Sequence, residues 1–305
     1  MNATPPGDDE PRLPAAADIE DIDLTVPDFT GADEAAVHRA VRRGVLRAGF
    51  AAASWLVLVA VVALIALTVV NNARVKDLAA VGHRAILVAH PEYAFHGMSC
   101  CGGLTDMEVT VEGTVRGEVD GSGSVTGTLR KSMTGALDLQ LPDAATTPIG
   151  RALDRSPAGK AETSAFLDRL PPGVAASAIL EFTTPLDRAA FGAFLAANPP
   201  ETPLSTAFLT APHSTEPLVT WDGVRDLDGY VTWARGLHGD DDEMLTSLGL
   251  PRSAALQALA RDPRVHAVVL DRATPAQLRS WLANPTVGSV TLADIGFDAD
   301  LVLPR

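Results

Sequence analysis

Phe50-Ala-Ala-Ala-Ser-Trp-Leu-Val-Leu-Val-Ala-Val-Val-Ala-Leu-Ile-Ala-Leu-Thr-Val-Val70 carries no charge, and the charge-free run extends from Ala48 to Ala73. A bilayer core about 30 Å thick is crossed by about 20 apolar residues, and this stretch supplies them. Backbone groups in hydrocarbon must bond to one another, so the segment reads as a helix. A core helix of a soluble protein keeps a polar face; this one has none. A secretory leader has a short basic start and an apolar run of about 7–15 residues. Here a long segment precedes the run, the run is too long, and Asn71-Asn72-Ala73 does not fit a cleavage site. The reading is an uncleaved transmembrane helix over 49–70. Phe50, Trp55 and Val70 are its anchor positions in the lipid bilayer, with Trp55 near the inner interface.

Charge along the 305 residues is segregated around that run. Residues 1–36 carry a net −9, residues 37–73 carry +4, and residues 74–305 carry −9. Arg39, Arg42, Arg43 and Arg47 crowd the N-terminal side of the apolar run, against Arg74, Lys76 and Arg84 after it. The positive-inside rule therefore places the N-terminus in the cytoplasm and the C-terminal part outside a cell membrane. An acidic chain without a basic field argues against nucleic acid as a partner. Two Cys exclude a disulfide-dense scaffold and a four-Cys zinc finger.

Residues 1–36 are rich in Pro, Asp and Glu, the composition of a disordered acidic tail. Within it, Ile19, Ile22, Leu24, Val26 and Phe29 alternate with acids, a strip suited to a basic, apolar partner surface. Residues 37–48 read as a basic juxtamembrane helix. Residues 71–141 read as a helical stalk (74–90) followed by a β-meander. Its strands are Met107–Val115, Gly123–Leu129 and Met133–Leu141, with Asp120-Gly121-Ser-Gly123 as turn chemistry. Residues 142–172 read as a linker around one short helix. Residues 173–305 contain an internal echo: Ala178–Phe182 and Val265–Leu270 are strands, each followed by Thr-Pro. Thr184 and Thr274 are expected as N-caps, with Pro185 and Pro275 at the first helical position and Asp187 and Gln277 completing capping boxes. Two strand-helix-strand units predict an α+β domain of ferredoxin-like (split strand-helix-strand) type.

From Val37-His-Arg-Ala-Val-Arg-Arg through the apolar run to His90-Pro-Glu-Tyr93, the chain resembles the N-terminal domain of the bacterial sigma factor regulator family. Ala178–Leu186 and Ala267-Val-Val-Leu-Asp-Arg-Ala-Thr-Pro-Ala-Gln-Leu278 are similar to that family's C-terminal domain. The resemblance implies a non-enzymatic, anti-sigma-like membrane regulator that restrains an extracytoplasmic-function sigma factor. Many such regulators carry a cytoplasmic His-x3-Cys-x2-Cys zinc motif, whereas residues 1–48 contain no Cys. Binding to a sigma factor then falls to the acidic strip and the helix over 33–47, and a homo-oligomer is compatible with either role.

Cys100-Cys101 stands apart chemically. Outside the cell these thiols meet an oxidising compartment, where adjacent Cys form a strained, labile disulfide or pair with another chain. His90, His96, Met98, Cys100 and Cys101 mix soft and imidazole donors, a set that suits Cu(I) or Zn(II). Their spacing matches no standard template, so no metal and no cofactor are expected. The alternative roles are a copper- or redox-responsive envelope protein built on Cys100-Cys101, and an envelope assembly factor. Asp240-Asp-Asp-Glu243 lacks the ligand alternation of a calcium loop and reads as a solvated turn. The chain contains no Gly-x-Ser-x-Gly, no His-Glu-x-x-His and no phosphate-binding Gly loop, and no enzyme activity is expected.

Overall fold

The computed structural model describes residues 34–102, 107–121, 123–132, 137–198 and 203–298; the side chains of 34, 35, 71–77, 79, 80 and 100–102 lie outside that description. The first element, α1 (Glu34–Asp77), is one unbroken helix that contains the whole apolar run. Two compact units divide the chain within it, at Leu64 and Ile65.

A π-helical turn, Leu78–Gly82, and a short helix, α2 (His83–Ala89), follow α1. The stalk reading needs correction here. Leu78, Ala85, Ile86 and Val88 are fully buried, and α2 packs against two strands, β1 (Tyr93–Gly102) and β7 (Thr220–Asp222). The Thr220 hydroxyl donates to the Val88 carbonyl at 2.9 Å, tying α2 to β7. Sequence 83–89 is helical and apolar because it is core, not because it is a spacer.

A four-stranded antiparallel meander comes next, in the order β1, β2 (Met107–Val115), β3 (Ser124–Lys131), β4 (Leu137–Gln140). The alternation of β2 is the expected one, with Met107, Val109 and Val111 buried. β1 is an addition to the three strands read from sequence. Its register shifts between Phe95 and Gly97, and a bulge of that kind destroys the period-two pattern by which a strand is recognised.

The second sheet has five strands in the order β7-β6-β8-β5-β9, every neighbour antiparallel. Its other strands are β5 (Val174–Leu186), β6 (Leu204–Phe208), β8 (Val265–Ala273) and β9 (Val287–Phe297). β5 is an interior strand covered on both faces, so its apolar residues run consecutively rather than alternately. Ala176, Ala178 and Leu180 join the main core, which also holds the inward residues of the meander and of α2. The helices α5 (Arg188–Ala196), α6 (Leu227–Arg235), α8 (Ser253–Arg261) and α9 (Pro275–Ala283) feed side chains into that core, and α7 (Asp242–Ser247) adds Met244 and Leu245. Ile179, Phe208, Ala267 and Val269 form a second cluster on the opposite face.

Residues 142–172 are not a linker. They form a 3₁₀ turn and two helices, α3 (Pro148–Leu153) and α4 (Lys160–Leu167). Ile149 and Ala152 of α3 are fully buried in the second cluster. Thr147 caps α3 by accepting from the Gly150 N–H, with Pro148 at the first helical position. A second correction concerns Thr184-Pro185. These residues belong to β5, which continues to Leu186, and Asp187 is the N-cap of α5, accepting from the Ala190 N–H. The Thr274–Gln277 capping box is formed as expected.

Candidate functional site

Ala36–Val70 is long and apolar enough to cross a membrane, and none of its most apolar window is buried. Phe50, Trp55 and Val70 are all exposed on it. Ser54 turns its hydroxyl back onto the Phe50 carbonyl, 2.8 Å away, which hides the polar group within the helix. From residue 48 to 70 the helix surface is uncharged and uncovered, which a lipid environment accommodates. The acidic strip, with Ile19, Ile22, Leu24, Val26 and Phe29, lies outside the described residues.

Cys100 and Cys101 are consecutive backbone positions of β1, opposite Val109 and Glu108; their side chains lie outside the described residues. The other three members of that set have separate surroundings. His90 Nδ1 stands 2.9 Å from Glu92 Oε1, exposed His96 faces the Ala94 carbonyl at 3.3 Å, and Met98 packs on the main core. Among the described residues no group of three His, Cys, Asp or Glu is placed to hold a metal ion. The acids of 240–243 serve a helix start. Asp241 accepts from the His238 N–H at 2.7 Å and Asp242 from the Ser253 N–H at 2.7 Å. Hydrogen bonding by Ser253 holds the Asp242 carboxyl below its usual value.

Two features escape a reading of the sequence. The first is a buried charge node. Arg116 is only 7% exposed. Its Nη2 stands 3.1 Å from Asp222 Oδ1 on β7, and its Nη1 stands 3.9 Å from Asp271 Oδ2 on β8. Its own N–H donates to the Glu92 carbonyl at 2.7 Å. Gly117 permits the turn that follows, with φ +84°, and a Cβ there would meet Ile149 at 2.8 Å. Arg116 Nε and Asp271 Oδ1 are buried without a hydrogen-bond partner in the protein. Burial raises the Asp271 carboxyl above its usual value and Asp222 adds to the effect, while Ser205 and Arg116 oppose it. The node joins the meander to the five-stranded sheet. It resembles a structural clamp more than a reaction centre, since its cation stands between carboxylates of two strands and the Tyr93 carbonyl and so ties segments together.

The second is a groove of about 430 Å³ along β9. β9 is an outer strand of its sheet. Val290, Thr291, Leu292, Ala293 and Ile295 all line the groove, and residues of both parities can do so only if it follows the strand's edge. The far wall is α4 with the segment 155–158. Lys160 fixes that wall by donating to the Leu282 and Asn284 carbonyls at the end of α9, 3.2 and 3.3 Å away. Arg155 and Arg169 stand on the rim, and the Arg169 guanidinium lies over Phe166. No signal in the sequence joins 155–169 to 290–295.

No known family, curated protein or solved structure matches this chain. Among the described residues, fold and surface define a class: one membrane-length apolar helix followed by an α+β region of antiparallel sheets.

Proposed function

We propose that the chain is a single-pass membrane regulator that works by binding rather than by catalysis. Residues 1–48 face the cytoplasm and engage an extracytoplasmic-function sigma factor; the α+β region lies beyond the lipid of the cell membrane. The observation that supports this most is α1 itself, which carries the basic Arg39–Arg47 segment and the apolar run in one uninterrupted helix. An asymmetric basic flank on an uncovered apolar helix is the pattern that fixes orientation in a bilayer. The acidic strip, with its five spaced apolar residues, supplies the contact chemistry for a basic, apolar surface.

The second sheet supports a ferredoxin-like reading of the outer region. Strands β9-β5-β8-β6 follow the order fourth-first-third-second of two split strand-helix-strand units, with β7 added at the edge. The insertion that carries β7, α6, α7 and α8 falls between the second and third strands of that plan.

The test uses residues 1–48 immobilised through their C-terminus and the purified extracytoplasmic-function sigma factor encoded nearest this gene. Retention of the sigma factor, lost on Ile22→Asp with Leu24→Asp, is the expected result. A sigma factor that passes unretained removes the sigma-binding reading.

A further inference from the structure

We propose that the groove along β9 is a docking site for an extended segment of a partner protein in which apolar residues alternate with carboxylates. The segment adds to the open edge of the five-stranded sheet as a sixth strand. The proposal goes beyond the sigma-factor reading and does not depend on it, because every residue involved lies in the α+β region.

Four observations carry it. β9 ends the sheet, so its outward N–H and C=O groups over 291–296 have no strand partner among the described residues. Exposed edges are normally blunted by charge, proline or a covering element. β9 has no Pro and no Lys, and its Asp294 is engaged by the Val119 N–H at 3.0 Å. α4 lies against the strand at Val290, whose carbonyl accepts from the Thr163 hydroxyl at 3.5 Å. Beyond that point Thr291 and Ala293 are buried in the groove wall and Val119 packs against Gly296, but the strand's end is uncovered at Ile295 and Phe297. These are the two exposed large hydrophobics of the described residues outside α1, with Phe297 73% exposed.

The occupant follows from charge and size. Arg155 and Arg169 line the groove and make no ion pair with a described residue, against one acid, Glu162. That local excess of positive charge lies within residues 74–305, which carry a net −9. A segment with carboxylates is therefore preferred over one with lysines. The Thr291 hydroxyl, buried in the groove wall without a partner, offers a further polar contact. The volume lies in the range of ordinary binding clefts, about 300–1,000 Å³. It takes the side chains of one extended segment rather than the edge of a second folded body with its own α4. Strand addition then gives affinity through the backbone, and the rim arginines give specificity.

The experiment uses the full chain in lipid nanodiscs and fluorescence anisotropy with two labelled peptides, one alternating Val and Glu, the other alternating Val and Lys. The acidic peptide is expected to bind about tenfold more tightly, the combined effect of two exposed ion pairs. Arg155→Glu with Arg169→Glu, both at exposed positions, should reverse that preference. An acidic peptide N-methylated at alternate amides should lose binding by at least the same factor. Equal binding of the two peptides, a preference that survives the charge reversal, or full retention by the methylated peptide overturns the proposal. So does sedimentation showing the chain dimeric in detergent, with Ile295→Asp restoring the monomer, because the edge would then belong to a second copy.

Discussion

Arg116 is a buried cation that ties the meander to the five-stranded sheet. A buried ion pair adds little over an apolar replacement, but removing one partner leaves a desolvated charge behind. Arg116→Ala strands Asp271, so a loss of about 3 kcal/mol is expected in denaturant unfolding. The same change made on an Asp271→Asn background should cost clearly less, and equal losses in both backgrounds would contradict the node. Asp271 also predicts a pH dependence. Its carboxyl sits above the ordinary value of 3.8 in the folded protein. Between that value and the raised one, the folded chain holds a proton that the unfolded chain has released. Stability therefore falls as pH rises through this window. Asp271→Asn should abolish that component while leaving the slopes of other groups in place. Denaturant midpoints measured from about pH 4 upward for both proteins check it; superimposable slopes would refute it.

Three Thr-Pro pairs show how far local sequence determines an element. Thr147-Pro148 and Thr274-Pro275 open helices; Thr184-Pro185 ends a strand. All three place Pro directly after Thr, the same helix-start signal. Leu186 pairs with Val265, and the Thr183 N–H donates to the Thr286 carbonyl, so distant partners keep the chain extended until Asp187. Tertiary pairing overrides a helix-start signal when the strand has partners on both sides. Asp187→Ala should accordingly cost about 1 kcal/mol, as the loss of an N-cap does. Thr184→Ala should stay within about 0.5 kcal/mol. The reverse order in thermal unfolding would restore Thr184 as the cap. The β2 and β3 strands were legible because buried residues alternate along them, and the apolar part of α1 because no charge interrupts it. β1 was hidden by its bulge, and α2 read as a stalk because an apolar helix looks the same whether it spaces or packs. Ile86 decides between those roles: buried between β1 and β7, its truncation to Ala is expected to cost about 2–5 kcal/mol, where an exposed spacer would lose almost nothing.

At the scale of the molecule, the anchor was visible in the sequence and the groove was not, for one physical reason. Lipid imposes its demand on consecutive residues, whereas the β9 groove draws on 155–169 and 290–295, joined only by folding. The charge blocks around the anchor carry the remaining prediction. Four Arg precede the apolar run, and Arg74, Lys76 and Arg84 follow it. The margin between the two flanks is small, so orientation should be sensitive to it. In the natural chain, protease added to intact spheroplasts is expected to degrade a C-terminal epitope tag. With Arg39, Arg42, Arg43 and Arg47 all changed to Gln, the flank that follows holds the excess, and a substantial protected fraction of the tag should appear. Protection of the tag in the natural chain would place the α+β region in the cytoplasm. The sigma-factor reading would then lose its geometry, while the β9 groove, which needs only a folded sheet with an open edge, would meet its partner on the other side of the lipid.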